Sequence, residues 1–63
     1  MHSHAELIEL AQICAFNARA ATDQRVAEEL WKMALEYQTK AAEMDSGSKP
    51  DIGPPPDFLI EKN

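Results

Sequence analysis

Few side chains in this sequence could take part in chemistry, and they are poorly placed for it. Cys14 is the only cysteine, and His2 and His4 lie two residues apart near the first residue. A reactive thiol needs water and a nearby positive charge, but Arg19 lies more than one helical turn from Cys14. Two histidines alone give a metal ion too few ligands. We predict no catalytic residue, metal site or cofactor, and keep a Cys- or His-based redox or metal sensor as a distant alternative.

The carboxylates of the second half of the chain are interleaved with lysines, which is typical of a solvated helix face. Acid–base catalysis would need a carboxyl group in an apolar pocket that shifts its pKa. We interpret Trp31 and Tyr37 as core or interface side chains. The sequence contains no glycine-rich phosphate loop, His/Glu metal motif or nucleophile elbow. We therefore predict that the protein is not an enzyme.

Length and charge limit the remaining function classes. A chain of 63 residues holds one small domain. A domain of this size usually needs a disulfide, a metal ion or a partner to be stable. Six basic against eleven acidic residues give a net charge of −5, which argues against binding to nucleic acid or to an anionic membrane. No apolar run is long enough to span a membrane, and no basic leader precedes the first apolar residues. These features predict a cytoplasmic protein.

Two helices are predicted, over residues 4–21 and 23–45 approximately. Ser3 and Glu6 form a capping box at the start of the first helix, and Thr22 or Asp23 can cap the second. Gly47 and Pro50 end the second helix. The predicted buried stripe of the first helix is Leu7, Leu10, Ala11, Cys14, Ala18 and Ala21, widened by Ile8 and Ala15. That of the second is Val26, Leu30, Met33, Tyr37, Ala41 and Met44, widened by Ala27 and Ala34. So short a connection makes the helices antiparallel.

The composition changes abruptly after the second helix, because all four prolines and both glycines follow Asp45. We predict an all-α fold in two parts: a helical hairpin over residues 1–45 and an extended, proline-rich tail over residues 46–63. The run Pro54, Pro55 and Pro56 favours a polyproline II conformation, which has no internal hydrogen bonds.

Apolar side chains remain that a two-helix hairpin cannot bury. They project from the first helix at Ile13, Phe16 and Ala20, and from the second at Trp31, Leu35 and Ala42. Two copies could cover them by forming a four-helix bundle, with Phe16 and Trp31 near the seam. A larger protein partner could cover them equally well. In the third alternative the tail folds back and covers Trp31 with Phe58, Leu59 and Ile60.

The stretch "LAQICAFNARAATDQRVAEELWKMALEYQTKAAEMD" resembles a group of small, uncharacterised helical-hairpin proteins of alphaproteobacteria. The resemblance spans about residues 7–45. It implies a helical hairpin of uncharacterised function, and it supplies no active site. Members of the group often end soon after the second helix, so the resemblance implies that the tail is a variable addition. The residues that carry the resemblance are Cys14, Thr22, Asp23, Met33, Ala34, Glu36 and Tyr37.

The sequence therefore predicts a protein–protein interaction module that self-associates as a homodimer or docks on a larger hetero-partner. The alternative is a small accessory or structural subunit of a larger enzyme complex. The predicted interaction residues are Ile13, Phe16, Trp31, Leu35, Pro54, Pro55, Pro56, Phe58, Leu59 and Ile60.

Overall fold

The computed structural model describes residues 3–56, which contain two α-helices and no strand. Helix α1 spans His4–Ala20 and helix α2 spans Gln24–Glu43. Residues 21–23 connect them, and Ala11 of α1 and Ala34 of α2 belong to one apolar cluster. A connection of this length between two packed helices makes them antiparallel. The all-helical prediction is confirmed for these residues.

Helix α1 begins at the predicted capping box. The hydroxyl of Ser3 accepts a hydrogen bond from the Glu6 N–H at 3.1 Å, and the Glu6 carboxylate accepts one from the Ser3 N–H at 2.9 Å. Each bond satisfies a backbone donor that the first helical turn leaves without a partner. Arg19 lies in the last turn of α1, where a cation is favoured by the helix dipole.

Helix α2 is capped by Asp23 rather than Thr22. One carboxylate oxygen, Oδ1, accepts from the N–H groups of Arg25 at 2.8 Å and Val26 at 3.4 Å. The helix ends in a turn in which Ser46 and Gly47 both have positive φ angles, 54° and 85°. The Gly47 N–H donates to the Ala42 carbonyl at 2.7 Å, so the predicted left-handed stop at Gly47 is confirmed.

The two helices meet along lines of alanine. Ala11, Ala15 and Ala18 of α1 and Ala27, Ala34 and Ala41 of α2 each have no exposed surface. The α2 alanines recur every seven residues, which keeps them on one side of a helix. Because the distance between helix axes depends on the side chains at the contact, alanine lets the two backbones approach closely.

The predicted buried stripe of α2 was centred wrongly. Val26, Met33 and Met44 remain 47%, 41% and 55% exposed, whereas the alanines beside them form the interface. Val26, Met33 and Met44 are separated by seven and eleven residues, so they point in nearly the same direction from the helix axis. On α1 the predicted stripe is buried at Leu7, Ala11, Cys14 and Ala18, with Leu10 and Ala21 half-buried.

Two residues predicted to lie outside the core also pack differently. Ala42 is only 5% exposed, and Trp31 is half-buried against the apolar cluster. The prediction that α2 leaves Trp31 and Ala42 uncovered is therefore wrong for Ala42 and only partly right for Trp31. The predicted projections of Ile13, Phe16 and Leu35 are confirmed, since all three are exposed.

Candidate interaction site

Residues 50–56, which we call the strap, lie against the helical hairpin after the turn that ends α2. Ile52 is 6% exposed and belongs to the same cluster as Ala11, Cys14, Ala15 and Ala34. Its side chain therefore adds a third layer to a core that is otherwise built mainly from alanine. Burying an isoleucine is worth about 1.5–3 kcal/mol, a large share of the stability of a domain this small.

Side chains of both helices hold the backbone of the strap. The guanidinium nitrogen Nη1 of Arg19 donates to the carbonyl of Ile52 at 2.9 Å and to that of Pro54 at 3.1 Å. The amide nitrogen Nε2 of Gln38 donates to the Pro50 carbonyl at 2.9 Å. A proline-rich segment without internal backbone-to-backbone hydrogen bonds leaves its carbonyls free to accept. The three hydrogen bonds therefore hold the strap at Ile52 and at the prolines two residues before and after it.

A tight turn inside the strap positions the Ile52 carbonyl next to the Arg19 side chain. The Asp51 carboxylate accepts from the Gly53 N–H at 3.0 Å, as in an Asx turn, and Gly53 has φ of 84°. A Cβ atom at Gly53 would lie 3.0 Å from Nη1 of Arg19 and 3.3 Å from its Cζ. Glycine at this position serves two purposes: it adopts the positive φ angle easily, and it leaves room for the guanidinium.

The predicted intrachain cover of Trp31 was assigned to Phe58, Leu59 and Ile60, which lie outside the described residues. Within the described residues, the segment that reaches the hairpin is the strap, and Ile52 shares the apolar cluster against which Trp31 packs. Of the predicted proline contacts, Pro54 is exposed, Pro55 half-buried and Pro56 buried.

Five of the six large apolar side chains that are exposed among residues 3–56 define two surfaces, and Leu35 lies apart from both. On α1, Ile13 and Phe16 are 47% and 63% exposed and lie one turn apart, and we call them the α1 patch. On α2, the stripe formed by Val26, Met33 and Met44 is the α2 stripe. Gln38, which binds the strap, points about 140° away from Met33, so the strap and the α2 stripe occupy different sides of α2.

Two shallow surface depressions adjoin predicted interaction residues. One, of about 600 Å³, runs along α2 and includes Leu35, Lys32 and Lys40 in its lining. The other, of about 300 Å³, is formed by α1 alone and includes Leu10 and Ile13. Each is lined by residues of one helix, so the structure gathers the predicted residues into separate surfaces: Ile13 with Phe16 on α1, Leu35 on α2, and Trp31 near the strap.

Of the residues first considered for chemistry, Cys14 and His4 lie in α1, and His2 lies outside the described residues. Cys14 is buried, and this burial raises the pKa of its thiol above the usual 9.0, which disfavours the reactive thiolate. His4 begins α1, and its Nε2 atom is buried without a hydrogen-bond partner among residues 3–56. In this part of the chain no charged side chain is buried, and no three His, Cys, Asp or Glu side chains converge as a metal ion would require.

The sequence did not predict that Arg19 and Gln38 bind the segment around Ile52. Arg19 was noted only as a basic residue remote from Cys14, and Ile52 stands alone among proline, glycine and aspartate without any periodicity. One signal was present: the order Asp51-Ile52-Gly53-Pro54 combines an Asx-turn residue, a glycine and a rigid proline. That pattern predicts an ordered turn, although it does not say where the turn docks.

Comparison with protein-family models, with curated proteins and with solved structures found no match to this chain. Neither α1 nor α2 combines the length and the apolar character that a membrane-spanning helix needs.

Proposed function

We propose that this protein is a non-catalytic interaction module that self-associates through the α1 patch and the α2 stripe. The observation that supports the proposal is the distribution of its apolar side chains. In the described part of the chain, the residues without exposed surface are all alanines, and of the large aliphatic and aromatic side chains Leu7 and Ile52 are buried. The large side chains Phe16, Val26 and Met44 stay about half exposed or more.

Covering these side chains provides the driving force for association. Each large apolar side chain gains about 1.5–3 kcal/mol when it is fully buried. Two hairpins that bury the α2 stripe against each other, with the α1 patch at an edge, would complete a four-helix bundle. In such a bundle the alanine lines hold each hairpin together, and the larger residues hold the two hairpins to each other.

Exchanging one large residue for a charge should weaken this association. We expect the wild-type chain to show a concentration-dependent dimer in sedimentation velocity. Phe16→Glu or Met33→Glu should raise the dimer dissociation constant at least tenfold, because a charge would have to be brought into the interface between the hairpins.

The matched control is Phe16→Leu, which keeps an apolar side chain and should retain most of the association. Far-UV circular dichroism of each variant shows whether the helices persist, since both substituted positions are exposed. A wild-type protein that stays a folded monomer at every concentration would refute self-association.

The excess of acidic residues supports a second candidate function, an accessory subunit of a larger enzyme complex. Two copies with a net charge of −5 each repel one another, whereas a less acidic partner would not. In that case native pull-down from lysate recovers one stoichiometric partner with wild-type bait. Recovery should fall with Phe16→Glu bait.

A further inference from the structure

The groove that holds the strap is a surface of the hairpin that recognises a short, defined element. Its donors, Arg19 and Gln38, belong to the helices, and its acceptors, the carbonyls of Pro50, Ile52 and Pro54, belong to the strap. The apolar contact is divided in the same way, with Ile52 against helical alanines. Nothing in this set of contacts requires the groove and the strap to come from the same molecule.

The turn between α2 and the strap holds the strap on its own hairpin under strain. Ser46 has φ of 54°, a left-handed conformation that non-glycine residues disfavour. The adjacent Gly47 also has a positive φ, and it closes the turn by donating to the Ala42 carbonyl. This strain disfavours the closed turn by a factor of about 5–30 relative to an unstrained one.

We propose that the strap of one copy docks in the groove of a second copy, by opening of the turn at residues 44–47. Both docked straps keep the Ile52 contact and the hydrogen bonds to Arg19 and Gln38. Opening gives up the Gly47 N–H to Ala42 hydrogen bond and releases Ser46 from its left-handed conformation. Exchange of an identical element in this way is a low-cost route to a dimer. The inference rests on the proposed self-association but uses the strap groove, which is a different surface.

The effective concentration of the strap and the strain of the turn together set the protein concentration at which this exchange occurs. A segment on a short linker has an effective concentration near its own groove in the millimolar range. The strain at Ser46, offset in part by the lost Gly47 hydrogen bond, lowers that value to about hundreds of micromolar. Further contacts between two hairpins, such as those of the α2 stripe, lower it again.

The turn residues provide the first arm of the test, with light scattering over a range of concentrations as the readout. Ser46→Gly relaxes the closed turn and should raise the dimer dissociation constant about fivefold or more. Gly47→Ala makes the closed turn worse and should lower it by a similar factor, since a Cβ at Gly47 meets nothing within 4 Å and acts only through the backbone angle.

The second arm uses two defective chains mixed in equal amounts and weighed by native mass spectrometry. One chain carries Arg19→Ala with Gln38→Ala and lacks the groove donors, and the other carries Ile52→Ala and lacks the apolar anchor. A heterodimer with exchanged straps contains one complete groove and strap, whereas neither homodimer contains any. Each defect alone is expected to release a strap, so the doubly defective half of the heterodimer loses no more than one docked strap. Heterodimers should therefore exceed the half share that random pairing gives.

The outcomes separate the two proposals. Opposite shifts of the turn variants together with excess heterodimer support strap exchange. Dimers that pair at random and do not respond to Ser46 or Gly47 overturn strap exchange and leave association through the α1 patch and α2 stripe in place. Monomers at every concentration overturn both.

Discussion

Ile52→Ala is expected to remove most of the stability of the folded chain. The side chain is 6% exposed and packs in the cluster of both helices, and truncating a buried isoleucine to alanine costs about 2–5 kcal/mol. A core of this size rarely supplies more than about 3–5 kcal/mol in total. Thermal and denaturant unfolding, followed by circular dichroism at low protein concentration, would measure the loss.

Ile13→Ala is the matched control, because it removes the same atoms from a side chain that is 47% exposed. Its effect on the free energy of unfolding should stay within about 0.5 kcal/mol, as for most surface substitutions. Equal losses in the two variants would contradict the packing of Ile52 against the hairpin. The single tryptophan, Trp31, provides a second readout, since it packs on the same cluster.

Gly53→Ala is expected to be the second most damaging substitution. An alanine at φ of 84° is disfavoured by about 1–2 kcal/mol. Its Cβ also lies 3.0 Å from Arg19 Nη1, so the guanidinium must shift by a few tenths of an ångström and its two hydrogen bonds to carbonyls weaken. A weakening equivalent to one lost hydrogen bond costs a further 0.5–1.5 kcal/mol, approximately. The free energy of unfolding should therefore fall by about 1.5–3.5 kcal/mol, as measured by urea unfolding.

Gly47→Ala supplies the control for the backbone angle alone. Gly47 has almost the same φ, 85°, but a Cβ there meets nothing within 4 Å. In an Arg19→Ala background, Gly53→Ala should cost no more than Gly47→Ala does, because the guanidinium and its hydrogen bonds are already gone. A Gly53→Ala cost that is the same with and without Arg19 would show that this contact does not hold the strap.

The helices could be predicted from the sequence because their signals are local. A capping box depends on Ser3 and Glu6 alone, and the stop at Gly47 depends on one backbone angle that glycine adopts easily. Such features act within one turn of helix, so they depend little on how the rest of the chain packs. Both are present in the structure.

The interface of α2 could not be predicted by ranking residues by size. A helical wheel favours the side with Val26, Met33 and Met44, because larger apolar residues dominate any hydrophobic stripe. A hairpin of two helices has only one shared contact, and the row of Ala27, Ala34 and Ala41 allows the closest approach. The larger residues then fall beside the contact, where a single chain cannot cover them.

The strap was missed for a different reason. Ile52 is one apolar residue in a segment of prolines and glycines, and its burial depends on a groove formed by residues far away in sequence. Arg19 and Ile52 are separated by 33 positions, and no local pattern links them. Every residue has a backbone carbonyl, so the sequence does not show which carbonyl accepts a long-range hydrogen bond. Only the structure could show that Arg19 and Ile52 are in contact.

The most direct test of the account is whether Ile52 lies in the groove between the two helices. We expect nuclear Overhauser effects from the Ile52 methyl groups to the methyl groups of alanines 11, 15 and 34, measured on labelled protein in dilute solution. The Ile52 resonances should also be displaced from random-coil positions by Trp31, which packs on the same cluster. Random-coil shifts for Ile52, without any Overhauser effect to either helix, would contradict the account.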